Sequence, residues 1–179
     1  MPLGVEPVML TDAGGKDAAP AAEPEKTDPD IEALKLVGAA KKAAYALKKA
    51  HPSVVFTSGF RTKEDQARAM AENIAKPNKR NWIKDTYSPS TASNKCQKWV
   101  DDNPDAKTKE EIQKGLKSVM DDLTDSQLNL LSKHLSGEAF DVQPVTEDAD
   151  KIEKTIKGLA GLTKFLDHEG GLVRWHAQF

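Results

Sequence analysis

A chain of 179 residues with 38% hydrophobic and 30% charged side chains has apolar material for one compact core plus an appendage. Its single cysteine, Cys96, excludes an intramolecular disulfide, and no apolar run is long enough to form a membrane-crossing helix. The net charge of -2 divides into an acidic tail, with seven acidic and two basic residues in 1–30, and a body with 21 acidic and 24 basic ones. That surplus is too small for the concentrated basic face that nucleic-acid binding needs, though it leaves an anionic polymer as a partner class.

The opening MPLGVEPVML lacks a basic leader, and Glu6 and Pro7 interrupt its apolar stretch, so no export signal is expected. Residues 11–30 are Pro, Ala, Gly and acids without a periodic apolar face; residues 1–30 are expected to be a disordered tail or linker. From Ile31 the pattern changes. Ala33, Leu36, Val37, Ala40, Ala44 and Leu47 form one helical stripe, which predicts a helix ended by Pro52. SVVFTS at 53–58 predicts a buried strand turning at Gly59, and Thr62 with Asp65 forms a capping box that starts a second helix after Arg61.

Residues 77–107, with Pro77, Pro89 and Pro104, suggest a long excursion with one short helix near Asn94–Val100. Helical patterning resumes at Lys109–Met120. Thr124 and Gln127 make another capping box, stapled by Leu123 and Leu128, for a helix to about Ser132. EAFDVQPV alternates as a strand, KIEKTIKGLAGLTKFL reads as a glycine-interrupted helix, and LVRWHAQF as a closing strand. The expected class is α+β, a small antiparallel sheet flanked by helices.

Strand parity then selects a site. Phe140 and Val142 face a core while Ala139 and Asp141 face the other way, and Gly137 permits a tight turn back to His134. In the last strand, Arg174, His176 and Gln178 share the face opposite Val173, Trp175 and Ala177. His134, Asp141 and His176 can therefore converge, and two imidazoles with one carboxylate leave a fourth position for water, as in a catalytic zinc site. An isolated H-x6-D is common, and either histidine alone is more often an ordinary core or surface residue than a ligand, so spacing alone does not establish the site. His51 before Pro52 reads as a solvated helix end, His168 lacks a ligand's strand position, and Trp82 and Trp99 suit packing or a groove wall.

The string S-x-H-x-x-G-x-A-x-D, filled by Ser132, His134, Gly137, Ala139 and Asp141, resembles the signature of the zinc D-alanyl-D-alanine peptidases. That family comprises VanY-like carboxypeptidases, phage L-alanyl-D-glutamate endolysins and Hedgehog-like relatives. It also carries an upstream S-G-F/Y-R followed by a glutamine and a final W-H strand, matched here by Ser58–Arg61, Gln66 and Trp175–His176. The resemblance spans about residues 31–179. It implies a Hedgehog/DD-peptidase-like fold, zinc held by His134, Asp141 and His176, and Arg61 on a substrate carboxylate or the developing oxyanion. Ser58 and Gln66 would orient substrate or support Arg61.

The family's usual acid three residues before the last histidine is replaced by Val173, so Glu169 is the expected general base, folded back over the metal by Gly170 and Gly171. Arg174 is expected either to engage a substrate carboxylate or oxyanion or to pair with a carboxylate of the protein. The implied substrate is a peptidoglycan stem peptide, cut by a D,D-carboxypeptidase or by an endopeptidase acting at an L-alanyl-D-glutamate or D,D bond. A protein made in the cytoplasm without an export signal would reach the cell wall by lysis, injection or secretion, with the tail as a tether to a delivery particle. The alternative is a non-catalytic metal-binding module of a phage or secretion particle.

Overall fold

The computed structural model describes residues 27–179, except Gly170, Gly171 and the side chains of Glu169 and Leu172. Most of the expected tail therefore lies outside the described residues. The elements are α1 (Pro29–Ala33), α2 (Gly38–Ala50), β1 (Phe56–Ser58), α3 (Lys63–Ile74), α4 (Trp82–Thr86), α5 (Thr91–Asp102), α6 (Lys109–Asp121), α7 (Asp125–Leu131), a 3₁₀ turn (Lys133–Ser136), β2 (Ala139–Val142), α8 (Ala149–Lys157), β3 (Lys164–Glu169) and β4 (Leu172–Gln178). The class is mixed helix and sheet, with the four strands antiparallel in the order β1-β2-β4-β3. Among the described residues no helix is long and apolar enough to cross a membrane.

Two apolar clusters hold the elements. One packs the sheet on α1, α2 and α8 through Ile31, Leu47, Phe140, Val142, Ile156 and Trp175. The other lies within α3 to α7 and includes Met70, Ile83, Cys96, Leu116 and Met120. Burial pushes the Cys96 thiol up to about 12, so this cysteine stays a protonated, inert part of that core. Capping boxes start α3 at Thr62, α5 at Ser90, α6 at Thr108 and α7 at Thr124, each satisfying orphan backbone N–H groups at a helix start. Gly115 of α6 sits against the Trp99 ring, where any side chain would collide.

Four sequence expectations need correction. The buried strand expected over 53–58 is only Phe56–Ser58, none of whose residues is fully buried, and Val55 before it is exposed. The helix expected from Ile31 to Pro52 is two helices, interrupted at Leu34–Val37, where Lys35 takes φ 51°, and Gly38 opens the second at φ 52°. The apolar stripe cannot reveal this break, because the freed backbone groups bond to distant loops: Phe60 N–H donates to Leu34 O at 2.8 Å and Val37 N–H to Gly137 O at 3.1 Å. In 77–107 the structure has α4 and a twelve-residue α5, longer than expected. The Arg80 guanidinium secures the end of α5 by donating to the carbonyls of Asn103 and Ala106 at 2.8 and 2.7 Å. Finally, α8 stops at Gly158, residues 159–163 turn, and only the end of the expected helix, from Lys164, falls in the edge strand β3, held by β4 from Lys164↔Gln178 to Glu169↔Leu172.

Candidate metal centre

Register brings the site together. Ser58, Asp141 and His176 are directly paired positions on β1, β2 and β4, so their side chains form one row across the sheet. The row lies on the face opposite Phe140 and Val142, as alternation demands. His134 arrives from the 3₁₀ turn, which Gly137 closes at φ 74°, a left-handed conformation glycine adopts without a Cβ penalty. The His134 carbonyl accepts from Arg61 N–H at 2.9 Å, tying this turn to the SGFR loop.

His134, Asp141 and His176 are each 2–3% exposed. His134 Nδ1 lies 2.6 Å from the Gly59 carbonyl, so Nδ1 carries the proton and the Nε2 lone pair points inward. Nε2 is 3.3 Å from Asp141 Oδ1 and 3.2 Å from His176 Nδ1, and the last two atoms are 2.7 Å apart. A four-coordinate ion with bonds of about 2.0–2.1 Å separates its ligand atoms by about 3.3 Å. Two edges of the triangle match that spacing. The 2.7 Å edge is a hydrogen bond when Nδ1 is protonated, and a cation can take that proton's place. The three side chains could therefore hold a metal ion.

Burial works against charge on both partners, with opposite outcomes. It dominates at His134, whose pKa is lowered despite the adjacent carboxylate. At Asp141 burial opposes ionisation, but hydrogen bonds and charge from His134 and His176 prevail and hold the carboxyl far below its ordinary range. Arg61 adds to this by donating to Oδ2 at 2.9 Å. A neutral imidazole beside an ionised carboxylate is the protonation state that ligates cations.

Both shifts are depressions, so their contribution to stability is present above the unfolded-state pKa values and lost as pH falls. For His134 the loss begins below about pH 6.5, at up to about 1.4 kcal/mol per pH unit for one proton. Thermal unfolding in chelator should accordingly show Tm falling from pH 7 to pH 5. A flat or rising Tm would contradict a neutral, buried His134.

His134 and His176 line a cleft of about 210 Å³, whereas Asp141 is buried beside them and does not reach its surface. The charged walls of the cleft are basic, with Arg61, Lys133, Lys164 and Arg174. Trp82, Thr86, Tyr87 and Ser88 of the 77–107 segment also line it, which gives that segment a place beside the site. No family model, curated protein or solved structure matches the chain. The chemistry of the site therefore rests on its own geometry and on the motifs of the sequence.

The other expected residues fall as follows. Arg61, expected on substrate, spends one guanidinium nitrogen on Asp141 and donates Nε–H to Ser58 Oγ at 2.9 Å. Ser58 thus supports Arg61. Gln66 is fully buried on α3 and donates to Tyr87 Oη at 2.9 Å, so it braces the cleft wall from behind instead of meeting substrate. Arg174 lines the cleft on the His176 side. Glu169, expected in a free glycine loop, ends β3 opposite Leu172. Its backbone stands three residues from Leu166, the partner of His176, or about 10 Å along the strand, and its side chain lies outside the described residues. His51 is not merely solvated: its Nε2 lies 2.8 Å from Thr155 Oγ1 and joins α2 to α8. His168 is exposed beside Asp167.

Sequence reasoning missed Gln178 as a site residue, although its parity with His176 was legible. Its amide nitrogen lies 2.8 Å from His176 Nε2.

Proposed function

We propose that the chain is a metal-dependent peptidase acting on peptidoglycan stem peptides, related to the zinc D-alanyl-D-alanine peptidases. The observation that carries this reading is the convergence of His134 Nε2, Asp141 Oδ1 and His176 Nδ1, with both histidines lining a basic cleft. Two imidazoles and one carboxylate suit zinc better than calcium or magnesium. When bound, such an ion supplies a Lewis acid that acidifies water and polarises a carbonyl.

The chain's own residues do the rest. The Gly59 carbonyl fixes the His134 tautomer, and Arg61 occupies Asp141 Oδ2 so that only Oδ1 faces the two imidazoles. Lys164 and Arg174, with Lys133 paired to Glu138 at 2.9 Å, give the cleft a positive wall that suits the free carboxylates of a stem peptide, whether the enzyme trims its end or cuts within it. Glu169 takes the proton of the attacking water and passes it to the leaving amine. A phage lysin or secreted effector, delivered to the wall through its acidic tail, fits this activity.

One observation favours a second reading, a non-catalytic metal-binding module of a phage or secretion particle: among the described residues lining the cleft there is no aspartate or glutamate. Zinc-loaded protein on purified peptidoglycan separates the two. Release of new amino groups, abolished by chelator and by Glu169→Gln, is the outcome expected of the enzyme. Full zinc occupancy with no release would establish the module.

A further inference from the structure

His176 has two ring nitrogens and two demands on them. Nδ1 faces Asp141 Oδ1 at 2.7 Å and His134 Nε2 at 3.2 Å, while Nε2 faces the amide nitrogen of Gln178 at 2.8 Å. With the amide nitrogen donating to Nε2, the ring proton must sit on Nδ1 and donate to Asp141. A cation between the three inward atoms needs the opposite tautomer, because Nδ1 must then present its lone pair.

Gln178 is unusual in being able to serve both. A carboxamide donates through nitrogen and accepts through oxygen, and rotation by half a turn about its last bond exchanges the two. The rest of Gln178 is held in place. Its backbone pairs with Ala139 on one side and Lys164 on the other, and its carbonyl accepts from Thr163 N–H at 2.8 Å and from Thr163 Oγ1 at 3.1 Å. Two residues along the same strand face, its side chain reaches His176 while the backbone stays fixed.

We infer that Gln178 is a positioning residue whose amide rotates when a cation enters, donating to His176 Nε2 beforehand and accepting from Nε2–H afterwards. The inference rests on the metal-binding reading of the triad. In the step, the proton on Nδ1 leaves to water and one from water is taken up on Nε2, so the imidazole stays neutral; the Nδ1–H bond to Asp141 is given up to the cation, while the bond between Nε2 and Gln178 is kept with its direction reversed. His134 needs no such device, because its Nδ1–H already points at a carbonyl that can only accept.

The test compares the full-length protein with Gln178→Met and Gln178→Glu. Zinc affinity is measured by competition with a chromophoric chelator, and the His176 tautomer by ¹⁵N NMR with and without zinc. Wild type should show the Nδ1–H tautomer without zinc and Nε2–H with it. Gln178→Met should bind zinc about 10–100-fold more weakly. Gln178→Glu, which can only accept, should keep the affinity and already protonate Nε2 without zinc. Equal affinity in Gln178→Met, or one unchanged zinc-free spectrum in all three proteins, would overturn the inference. Should wild type bind no zinc, the metal-binding reading fails, and the zinc-free spectra still decide what Gln178 does to His176.

Discussion

Asp141→Asn is expected to abolish cation binding and to destabilise the fold by about 3–5 kcal/mol, the usual cost of breaking a buried ion pair on one side. Asp141 supplies the only negative charge among the three inward atoms, and its other oxygen is the partner of the Arg61 guanidinium. An amide would leave Arg61, whose side chain is 18% exposed, facing a neutral group while Ser58 still holds its Nε. Zinc titration and urea unfolding of the zinc-free variant read the two effects separately. Zinc binding as tight as wild type would rule out the triangle as the metal site. A wild-type urea midpoint would show that the Arg61 pair contributes little.

The second large effect lies one residue away on the opposite face. Phe140→Ala should cost about 3–5 kcal/mol, the range for removing a buried aromatic side chain, and lower Tm by roughly 6–20 °C. Phe140 is fully buried, edge-on to Phe56 at 5.2 Å between centroids and tilted against Phe179 at 5.3 Å. Its loss opens a cavity beneath β2, and the flanking strands cannot collapse into it without breaking the register that aligns Asp141 with His176. The urea midpoint should fall with little change in slope. A midpoint within the experimental error of wild type would mean that the sheet–helix core is not packed as described.

These two neighbours show what was legible. Alternation in AFDV assigned Phe140 to a core and Asp141 to the site before any contact was known, because strand side chains have a period of two whatever the strand packs against. The capping boxes at Thr62 and Thr124 were readable for a related reason: donor and acceptor lie three residues apart, so the sequence contains the whole interaction. The strand at β3 was not, since Lys164–Glu169 has no clear alternation and is held as an edge by backbone bonds to β4.

By itself, then, the sequence determined the local periods and the helix starts, because each depends on spacing along the chain, and strand parity allowed His134, Asp141 and His176 to meet, with the motif resemblance pointing to them as ligands. Only the tertiary structure decided that Arg61 binds Asp141, that Gln66 faces inward, that Gln178 reaches His176 and that the first helix breaks to receive two loops. Each of those outcomes turns on which polar group finds a partner once water is excluded. That choice is made between segments up to 100 residues apart, as from Val37 to Gly137, and no spacing rule reaches so far.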